Sequence, residues 1–240
     1  MLKKGLSGSA LKWIAVFTML IDHFTAVFYF KSYSAGRQIF SNDVYMILRG
    51  VGRLAFPIFA FLLVEGYFHT HDVKKYLLRL FLFGLVSEVP FDLAFRRTFV
   101  DWGYQNVYFT LFLGLLAVWL WDTLTQHDRE RCGPVRLLLA TLAAAACAVL
   151  ALLCKTDYGF WGVLTVVSFA LFREREWLRA LAGGACLLAV NKLEAAGFPD
   201  FLLFHFYNGQ RGRQPKYFFY LFYPTHLLVL VLLSRAVYGG

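Results

Sequence analysis

Charged residues are scarce in this sequence. Only 16% of its 240 residues are Asp, Glu, Lys or Arg, whereas a soluble domain carries about 25%. No Ser- or Pro-rich tract and no long run of charge divides the chain. These absences argue against a soluble protein and against a string of linked modules. We therefore expect a single domain, residues 1–240, embedded in a membrane.

Cysteine is also rare. The four cysteines are scattered and form neither a CxxC pair nor a Cys/His spacing suited to zinc. We therefore expect no metal site and no redox centre. A small-residue cleavage site is missing after the basic N-terminal residues, so we expect the first apolar segment to be retained as a membrane span.

Hydrophobic residues are abundant, at 59% of the chain, with a mean hydropathy of +0.57. A spanning helix needs about 20 mostly apolar residues. Six segments qualify: roughly 10–30, 44–68, 74–94, 106–124, 135–154 and 216–238. Three shorter runs, 158–172, 177–190 and 195–207, are tilted, half-spanning or re-entrant candidates. The pattern predicts an all-α polytopic integral membrane helical bundle of about eight or nine transmembrane or half-spanning segments around a central polar cavity. Whether 195–207 crosses the membrane is left open.

The net charge of +9 does not point to nucleic acid, because the basic residues fall in short clusters between apolar segments. With nine crossings and a cytoplasmic N-terminus, the inside connections hold 15 Lys and Arg residues and the outside ones hold 7. Positive charge accumulates on the cytoplasmic side of membrane proteins. We therefore expect a multi-pass protein of the cell membrane with its N-terminus in the cytoplasm.

The first apolar segment carries two adjacent ionisable residues, Asp22 and His23. His23 lies about 16 Å into a core about 30 Å thick. Thr18, Thr25 and Tyr29 share the helical face of Asp22 and make a polar stripe. Because a central Asp costs about 2.5–3.5 kcal/mol on insertion scales, such a residue indicates a functional site.

Two other segments place ionisable residues at the same depth. Arg53 and His226 each lie ten residues from a charged segment end, or about 15 Å deep. Three helices thus deliver Asp22, His23, Arg53 and His226 to one level. An ion pair between Asp22 and Arg53 that only ties helices together is the simpler alternative, but it leaves the two histidines unexplained.

The order of short sequence blocks resembles the TraX family, the proteins associated with N-acetylation of conjugative pilin. The similarity runs from about residue 10 to 230 and includes "LKWIAVFTMLIDH", "RLAFPIFAFLLVEGYFHT", "YLLRLFLFGLVSEVPFDLAF", "QNVYFTLFLGL", "DYGFWGVL", "YNGQRG" and "KYFFYLFYPTHLLVL". A looser resemblance links "AFPIFAF" to the wider group of transmembrane acyltransferases.

The resemblance implies acetyl transfer from acetyl-CoA to an amine. The family's motif residues fall on Asp22 and His23, on Arg53, on Glu88, and on Tyr223 and His226. A buried His suits the general base because its pKa lies near working pH. We expect His23 in that role, with His226 as the second candidate. Asp22 orients His23 indirectly, holds Arg53 or binds the acceptor's ammonium.

Arg53 or Tyr223 supplies the oxyanion donor in this interpretation, and Glu88 belongs to the substrate site. Asn106 is either part of that site or only the N-cap of its segment. Direct transfer and an acetyl-His intermediate both fit. The acceptor is an amine on a peptide, an amino sugar or a small molecule, or a hydroxyl.

The loop "YNGQRGRQPK" offers Arg211, Arg213 and Lys216 beside two glycines. Basic side chains suit the CoA phosphates, and glycine permits close backbone approach. Ordinary positive-inside charge is the alternative explanation.

Two other functions remain. A proton-coupled transporter could use the mid-membrane Asp, His and Arg as a relay, although the sequence shows no internal repeat of the kind many transporters have. A non-catalytic scaffold is disfavoured by the cost of so many buried polar groups.

Overall fold

The computed structural model describes residues 5–126, 132–215 and 217–239. These residues form ten α-helices and a 3-10 helix, Lys192–Gly197. The α-helices are α1 (Gly8–Ser34), α2 (Asn42–Gly52), α3 (Ala55–Phe68), α4 (Val73–Phe95), α5 (Val107–Thr125), α6 (Pro134–Leu153), α7 (Gly159–Leu171), α8 (Glu176–Val190), α9 (Pro199–His205) and α10 (Phe218–Tyr238). The predicted all-α class is confirmed.

Within the part of the chain that the structure describes, five stretches of helix are long and apolar enough to cross a membrane. They are Gly8–Ser34, Asn42–Phe68, Val107–Thr125, Pro134–Leu153 and Phe218–Tyr238, with Gly159–Leu171 as a shorter apolar helix. The predicted membrane helical bundle is therefore confirmed. The run 195–207 becomes the end of the 3-10 helix and the seven-residue α9. At 1.5 Å per residue α9 rises about 10 Å, which is too short to cross a core about 30 Å thick.

The chain divides into two compact units. The first unit contains residues 1–59, 85–101 and 193–240, and the second contains residues 60–84 and 102–192. Both α3 and α4 contribute residues to each unit, because the unit boundaries fall inside these helices.

In the first unit, α1 packs against α2 and α10. Val27 and Phe28 of α1 form a buried cluster with Leu230 of α10, and Phe95 and Tyr238 pack against it. Ser7 caps α1 by accepting a hydrogen bond from the Ala10 N–H at 3.2 Å. The apolar face of α1 packs against α10, and the cap sets the residue at which α1 begins. Together they determine which α1 residues face the interior of the first unit.

The long apolar segment 42–68 is broken at Arg53, which ends α2. Pro57 has no N–H, so it cannot bond the carbonyl of Arg53 four residues earlier. Gly197 of the 3-10 helix lies against that carbonyl, and a Cβ on Gly197 would come within 3.0 Å of the oxygen. The break thus lets the 3-10 helix approach the backbone at Arg53.

In the second unit, α5 packs on α6 and α7, and α7 packs on α8. Two glycines permit this packing. A Cβ on Gly114 of α5 would lie 2.8 Å from Val166 of α7, and one on Gly183 of α8 would lie 2.3 Å from Phe169 of α7. Small residues at such contacts are typical of helices that associate within membranes.

Candidate active site

One face of helix α1 carries polar side chains that are buried in the interior of the first unit. Thr18, Asp22 and Thr25 are buried, with 8%, 5% and 0% of their surfaces exposed. The threonine hydroxyls donate to carbonyls of α1 itself, on Ile14 and Ile21 respectively. The helix therefore satisfies both hydroxyls, whereas the charge of Asp22 requires partners from other elements.

Two arginines bind Asp22. Its Oδ2 lies 2.6 Å from Nη1 of Arg49 and 2.7 Å from Nη2 of Arg53. Arg53 also donates through Nη1 to Oε1 of Glu194, at 2.9 Å. Two carboxylates and two guanidinium groups thus form a four-charge cluster of Asp22, Arg49, Arg53 and Glu194. Its formal charge is zero, which makes its burial tolerable.

The four-charge cluster depends on close contact between α1 and α2. A Cβ on Gly52 would lie 2.3 Å from both Cβ and Oδ1 of Asp22, closer than real atoms approach. Gly52 therefore lets α2 reach α1 closely enough for Arg49 and Arg53 to meet Asp22. Arg53 is also held by its own helix, because its Nε donates to the Arg49 carbonyl at 3.2 Å.

Beside Asp22, His23 faces the last helix. Its Nδ1 lies 2.7 Å from Nε2 of His226 in α10. The two rings are nearly parallel, with an interplanar angle of 7° and centroids 5.0 Å apart. We call these two residues the histidine pair. His226 is buried, with 6% of its surface exposed, whereas His23 is partly exposed.

The hydrogen bonds of the histidine pair define the tautomers of the neutral rings. His226 Nδ1 lies 2.7 Å from the carbonyl oxygen of Phe222, and a carbonyl can only accept, so His226 Nδ1 carries the proton. His226 Nε2 must then accept, which requires His23 to donate from its Nδ1. The lone pair of His23 is therefore on Nε2. This arrangement makes Nε2 a proton acceptor, the atom that a general base needs.

Aromatic rings surround the histidine pair. Phe95 of α4 and Tyr223 of α10 present their edges to His23, with centroids at 5.3 Å and 5.8 Å. Phe222 stacks on His226 at 4.6 Å. Tyr223 is also edge-on to His226, at 5.7 Å, and 4% of its surface is exposed. The rings pack around both imidazoles and restrict their orientation.

Glu88 and Asn106 are the remaining described residues of the predicted substrate site. Glu88 is on α4, seven residues before Phe95, or about 10 Å along the helix. Asn106 lies in the second unit, where its Oδ1 accepts from the Tyr108 N–H at 3.0 Å and its Nδ2 donates to the Gly84 carbonyl at 2.9 Å. Asn106 therefore caps α5. Roles for Glu88 and Asn106 in the substrate site stay predictions.

The predicted phosphate loop, residues 207–216, is hydrogen-bonded to the start of α1, and we call its described part, residues 207–215, the basic loop. The Ser9 N–H and Oγ donate to the carbonyls of Arg211 and Arg213, at 2.9 Å and 2.6 Å. Gly212 has a φ of +70° and lies against Ser7 and Ser9, where a Cβ would clash. The side chains of Arg211 and Arg213 are exposed. Lys216 lies outside the described residues.

Lys12 of α1 adds a third described cation near the basic loop. Its Nζ donates to Oε1 of Gln214 at 2.7 Å and lies 5.3 Å from the centroid of the Phe219 ring. Gln214 is a neutral partner, so it leaves the Lys12 charge in place. Lys12 precedes His23 by eleven residues, or about 16 Å along α1. The basic loop therefore lies against the start of α1, and His23 of the histidine pair lies further along the same helix.

Glu194 and Lys12 were missed as site residues at the sequence level. A signal for Glu194 does exist, since it is an acidic residue within the apolar stretch "AVNKLEAAGF". Lys12 precedes the first long apolar run, and ordinary positive-inside charge explained it there. Only the fold reveals that Glu194 meets Arg53 and that Lys12 meets the basic loop.

The sequence matches the family model described as TraX protein over residues 7–234. It is 33% identical to the probable fimbrial assembly protein FimC, serogroup H1, of Dichelobacter nodosus, over 93% of this chain and 94% of that protein. It is 29% identical to Protein TraX of Escherichia coli, over 93% of this chain and 86% of that protein. No solved structure matches the chain. The family match includes every residue of the histidine pair and the four-charge cluster.

Proposed function

The chain belongs to the TraX family, and on that premise we propose that it is a membrane-embedded acetyltransferase that moves an acetyl group from acetyl-CoA to an amine. The observation that carries the proposal is the hydrogen-bond series from His23 Nδ1–H to His226 Nε2, and from His226 Nδ1–H to the Phe222 carbonyl. This series leaves His23 Nε2 as a positioned proton acceptor in an apolar surrounding.

His23 acts as the general base. As the acceptor nitrogen attacks the thioester carbonyl, His23 Nε2 takes one proton from it, and the new C–N bond forms. The C–S bond then breaks, and His23 returns the proton to the departing CoA sulfur. The products are an N-acetyl amide and free CoA. In the second route, Nε2 itself attacks the thioester carbonyl, the C–S bond breaks and the CoA thiolate departs. The acceptor amine then attacks the acetyl-His carbonyl, the bond to Nε2 breaks, and the proton lost by the amine ends on the CoA sulfur.

His226 is a positioning residue in this proposal. Its Nε2 is occupied by the His23 N–H, so the base role goes to His23. Once His23 is protonated at both nitrogens, its Nδ1–H still donates to His226, which stabilises the charged ring. The Phe222 carbonyl in turn fixes the tautomer of His226. This arrangement resembles the logic of a catalytic triad, with a second imidazole in place of the carboxylate.

Tyr223 is the better-placed candidate for the oxyanion donor. The Arg53 guanidinium donates to Asp22, Glu194 and the Arg49 carbonyl, so three of its five N–H donors, one on each nitrogen, already have acceptors. Tyr223 instead lies against both rings of the histidine pair. Arg53 serves the site indirectly, because the four-charge cluster holds α1 and the segments around it in one arrangement.

The basic loop and Lys12 bind the CoA phosphates in this proposal. Three cationic side chains, Lys12, Arg211 and Arg213, gather at the start of α1, and charge-assisted contacts to phosphate are strong. The separation of about 16 Å along α1 suits a ligand with phosphates at one end and a thioester at the other. We place this end of α1, and with it the N-terminus, on the cytoplasmic side, where acetyl-CoA is made.

The identity of the acceptor amine is also a proposal. One relative is named a probable fimbrial assembly protein, which makes the N-terminal amine of a pilus subunit the first acceptor to test. An amino sugar and a small-molecule amine are the remaining classes.

Donor binding can be tested by thermal unfolding of the detergent-purified protein with and without acetyl-CoA. A ligand that binds only the folded state raises its stability. We expect a rise in Tm that is much smaller in Arg211→Ala/Arg213→Ala and unchanged in Arg37→Ala/Arg136→Ala. The control pair removes the same charge from exposed positions outside the site.

Formation of an acetyl-enzyme can be tested in the same preparation without knowledge of the acceptor. Incubation of the protein with unlabelled acetyl-CoA and labelled CoA yields labelled acetyl-CoA only through an acetyl-enzyme. Exchange that is lost in His23→Ala supports the acetyl-His route. Acetylation of a pilin-derived N-terminal peptide without exchange supports direct transfer. Absence of a Tm shift at millimolar acetyl-CoA, together with uptake of small molecules by proteoliposomes, would replace the proposal with the transporter.

A further inference from the structure

The histidine pair has a tightly packed cluster on one side. Val27 and Phe28 of α1 and Leu230 of α10 form this cluster, and they expose only 4%, 7% and 4% of their surfaces. Val27 follows His23 by four residues, or about 6 Å along α1. Because buried side chains pack about as densely as an organic crystal, these residues leave little room for a further group. We call them the apolar cluster.

Phe95 of α4 contacts both His23 and the apolar cluster. Its ring centroid is 5.3 Å from that of His23, and the planes of the two rings meet at 73°. The same ring packs against the apolar cluster and, at 5.0 Å, against the ring of Phe91, which is buried. Phe95 is therefore held by packed neighbours, and its ring bounds the space beside the His23 imidazole on the side of the apolar cluster.

The other side of the histidine pair, toward the basic loop, is more open. Phe218 of α10 lies between Trp13 and Phe222, with ring centroids 5.2 Å and 6.0 Å from its own. Phe222 in turn stacks on His226 at 4.6 Å. Trp13 and Phe218 expose 38% and 37% of their surfaces, and Trp13 directly follows Lys12, which contacts the basic loop. An apolar but accessible surface thus joins the basic loop to the histidine pair.

The proposed donor sets the direction in which its acyl group points. In acetyl-CoA the phosphates and the acyl group lie at opposite ends of an extended arm. With the phosphates at the basic loop, the arm reaches His23 from the open side, and the carbons of a longer acyl chain continue past His23 toward Phe95 and the apolar cluster. A longer chain therefore meets the part of the site that has the least free space.

We propose that Phe95 is the specificity-determining residue that limits the donor to short acyl groups, an inference that rests on the proposed acetyl transfer. Its ring leaves space for the methyl group of an acetyl donor and excludes the propyl chain of a butyryl donor. The chemistry of the two donors is the same: a C–N bond forms, a C–S bond breaks, and the proton lost by the amine ends on the CoA sulfur. Phe95 thus selects by fit alone.

Binding of donors of different length tests the inference without knowledge of the acceptor. The rise in Tm of the detergent-purified protein is measured against the concentration of acetyl-CoA, butyryl-CoA and hexanoyl-CoA, which share the same phosphates and arm. We expect wild-type protein to bind the two longer donors at least about tenfold more weakly than acetyl-CoA, the usual effect of a misplaced methylene in a pocket that selects by size. Phe95→Ala should bind butyryl-CoA about as tightly as acetyl-CoA, because the removed ring is larger than two methylenes.

Two further variants separate this effect from a loss of stability. Phe95→Leu removes less volume, so the preference for acetyl-CoA should fall to a smaller extent, and this variant decides the question if Phe95→Ala fails to fold. Phe81→Ala is the matched control, because it makes the same change on α4 but in the second unit, where Phe81 packs against Phe109 and Phe112. We expect it to keep the wild-type order of the three donors.

The outcomes distinguish this inference from the proposed function. Absence of a Tm rise with acetyl-CoA in wild-type protein would remove both. Equal affinity of wild-type protein for all three donors, or an unchanged preference in the Phe95 variants, would overturn the role of Phe95 and leave the acetyl-CoA site in place. A preference that is lost in Phe95→Ala and kept in Phe81→Ala supports the inference. The kcat/KM values for transfer to the pilin-derived peptide should follow the same order of donors.

Discussion

His23 Nδ1 lies 2.7 Å from His226 Nε2, although 203 residues separate the two positions in the chain. The contact joins the first and last long helices of the protein. Because the other nitrogen of His226 is bound to a backbone carbonyl, the two histidines are not equivalent. One imidazole presents a lone pair, and the other fixes which nitrogen carries it.

This asymmetry predicts different outcomes for the two histidine variants. His23→Ala should lower the transfer rate by about 10²–10⁴-fold, the usual contribution of a general base. His226→Gln should lower kcat by a smaller factor and change the pH dependence of kcat, because the partner of His23 Nδ1 has changed. Both should keep the acetyl-CoA-dependent rise in Tm. Equal losses in both variants, with unchanged pH profiles, would contradict the assignment of a base and a positioning residue.

The four-charge cluster predicts a non-additive pair of substitutions. Arg53→Met leaves Glu194 without the partner at 2.9 Å, and breaking a buried ion pair costs about 3–5 kcal/mol. Glu194→Met should cost a similar amount because it removes the same pair. The double variant leaves Asp22 with Arg49 and should cost less than either single change. Unfolding in detergent–SDS mixtures measures all three, and additive costs would show that the pair is uncoupled.

Gly52 predicts a steric effect that can be matched by a control. Gly52→Ala places a Cβ 2.3 Å from Asp22, so α1 and α2 must separate, and overpacking of this kind costs about 1–3 kcal/mol. Gly133→Ala adds the same methyl group where none of the described residues lies within 4 Å. We expect the first variant to lower Tm and transfer activity together and the second to change neither. Equal stability of the two variants would mean that the α1–α2 contact yields easily.

Asp200 predicts a substitution without a stability cost. Its side chain is fully buried, and neither carboxyl oxygen has a hydrogen-bond partner among the described residues. Burying a carboxylate in this way is costly. Burial raises the pKa of this carboxyl to about 9, so at pH 7 it is neutral in the folded protein but ionised in the unfolded chain, and this difference lowers stability. Asp200→Asn removes the difference with little change in shape, so we expect an equal or higher Tm at pH 7. A clear loss of stability would show that the ionised form has a partner in the folded protein, such as a bound cation or water.

The depth argument from the sequence grouped residues that the fold does bring into contact, because helical rise is regular and apolar segments must match the membrane. Asp22 and Arg53 do pair, and His23 does meet His226. The pairing of Arg53 with Glu194 could not be derived, because helical periodicity says nothing about a 3-10 helix that packs against a break in another segment.

The tautomers of His23 and His226 could not be predicted from the sequence either. They depend on one carbonyl, that of Phe222, and on the angle between two helices far apart in the chain. Asn106 illustrates the opposite case: its position before an apolar segment predicted capping as one alternative and a site role as the other, and the fold contains the capping bond to Tyr108. Local rules describe such caps well, whereas tertiary contacts select which polar groups meet.

Hydrogen bonds join residues near the start of the chain, 5–9, to residues near its end, 206–213. These bonds can form only late in synthesis, because the chain is made from its N-terminus. A ribosome delivers α1 to the membrane long before the basic loop or α10 exists. During that interval His23 has no His226, Ser9 has no carbonyl from Arg211, and Arg53 has no Glu194. The contacts of the histidine pair and of the four-charge cluster are therefore complete only when the last segments arrive, so the first unit reaches its folded arrangement near the end of synthesis.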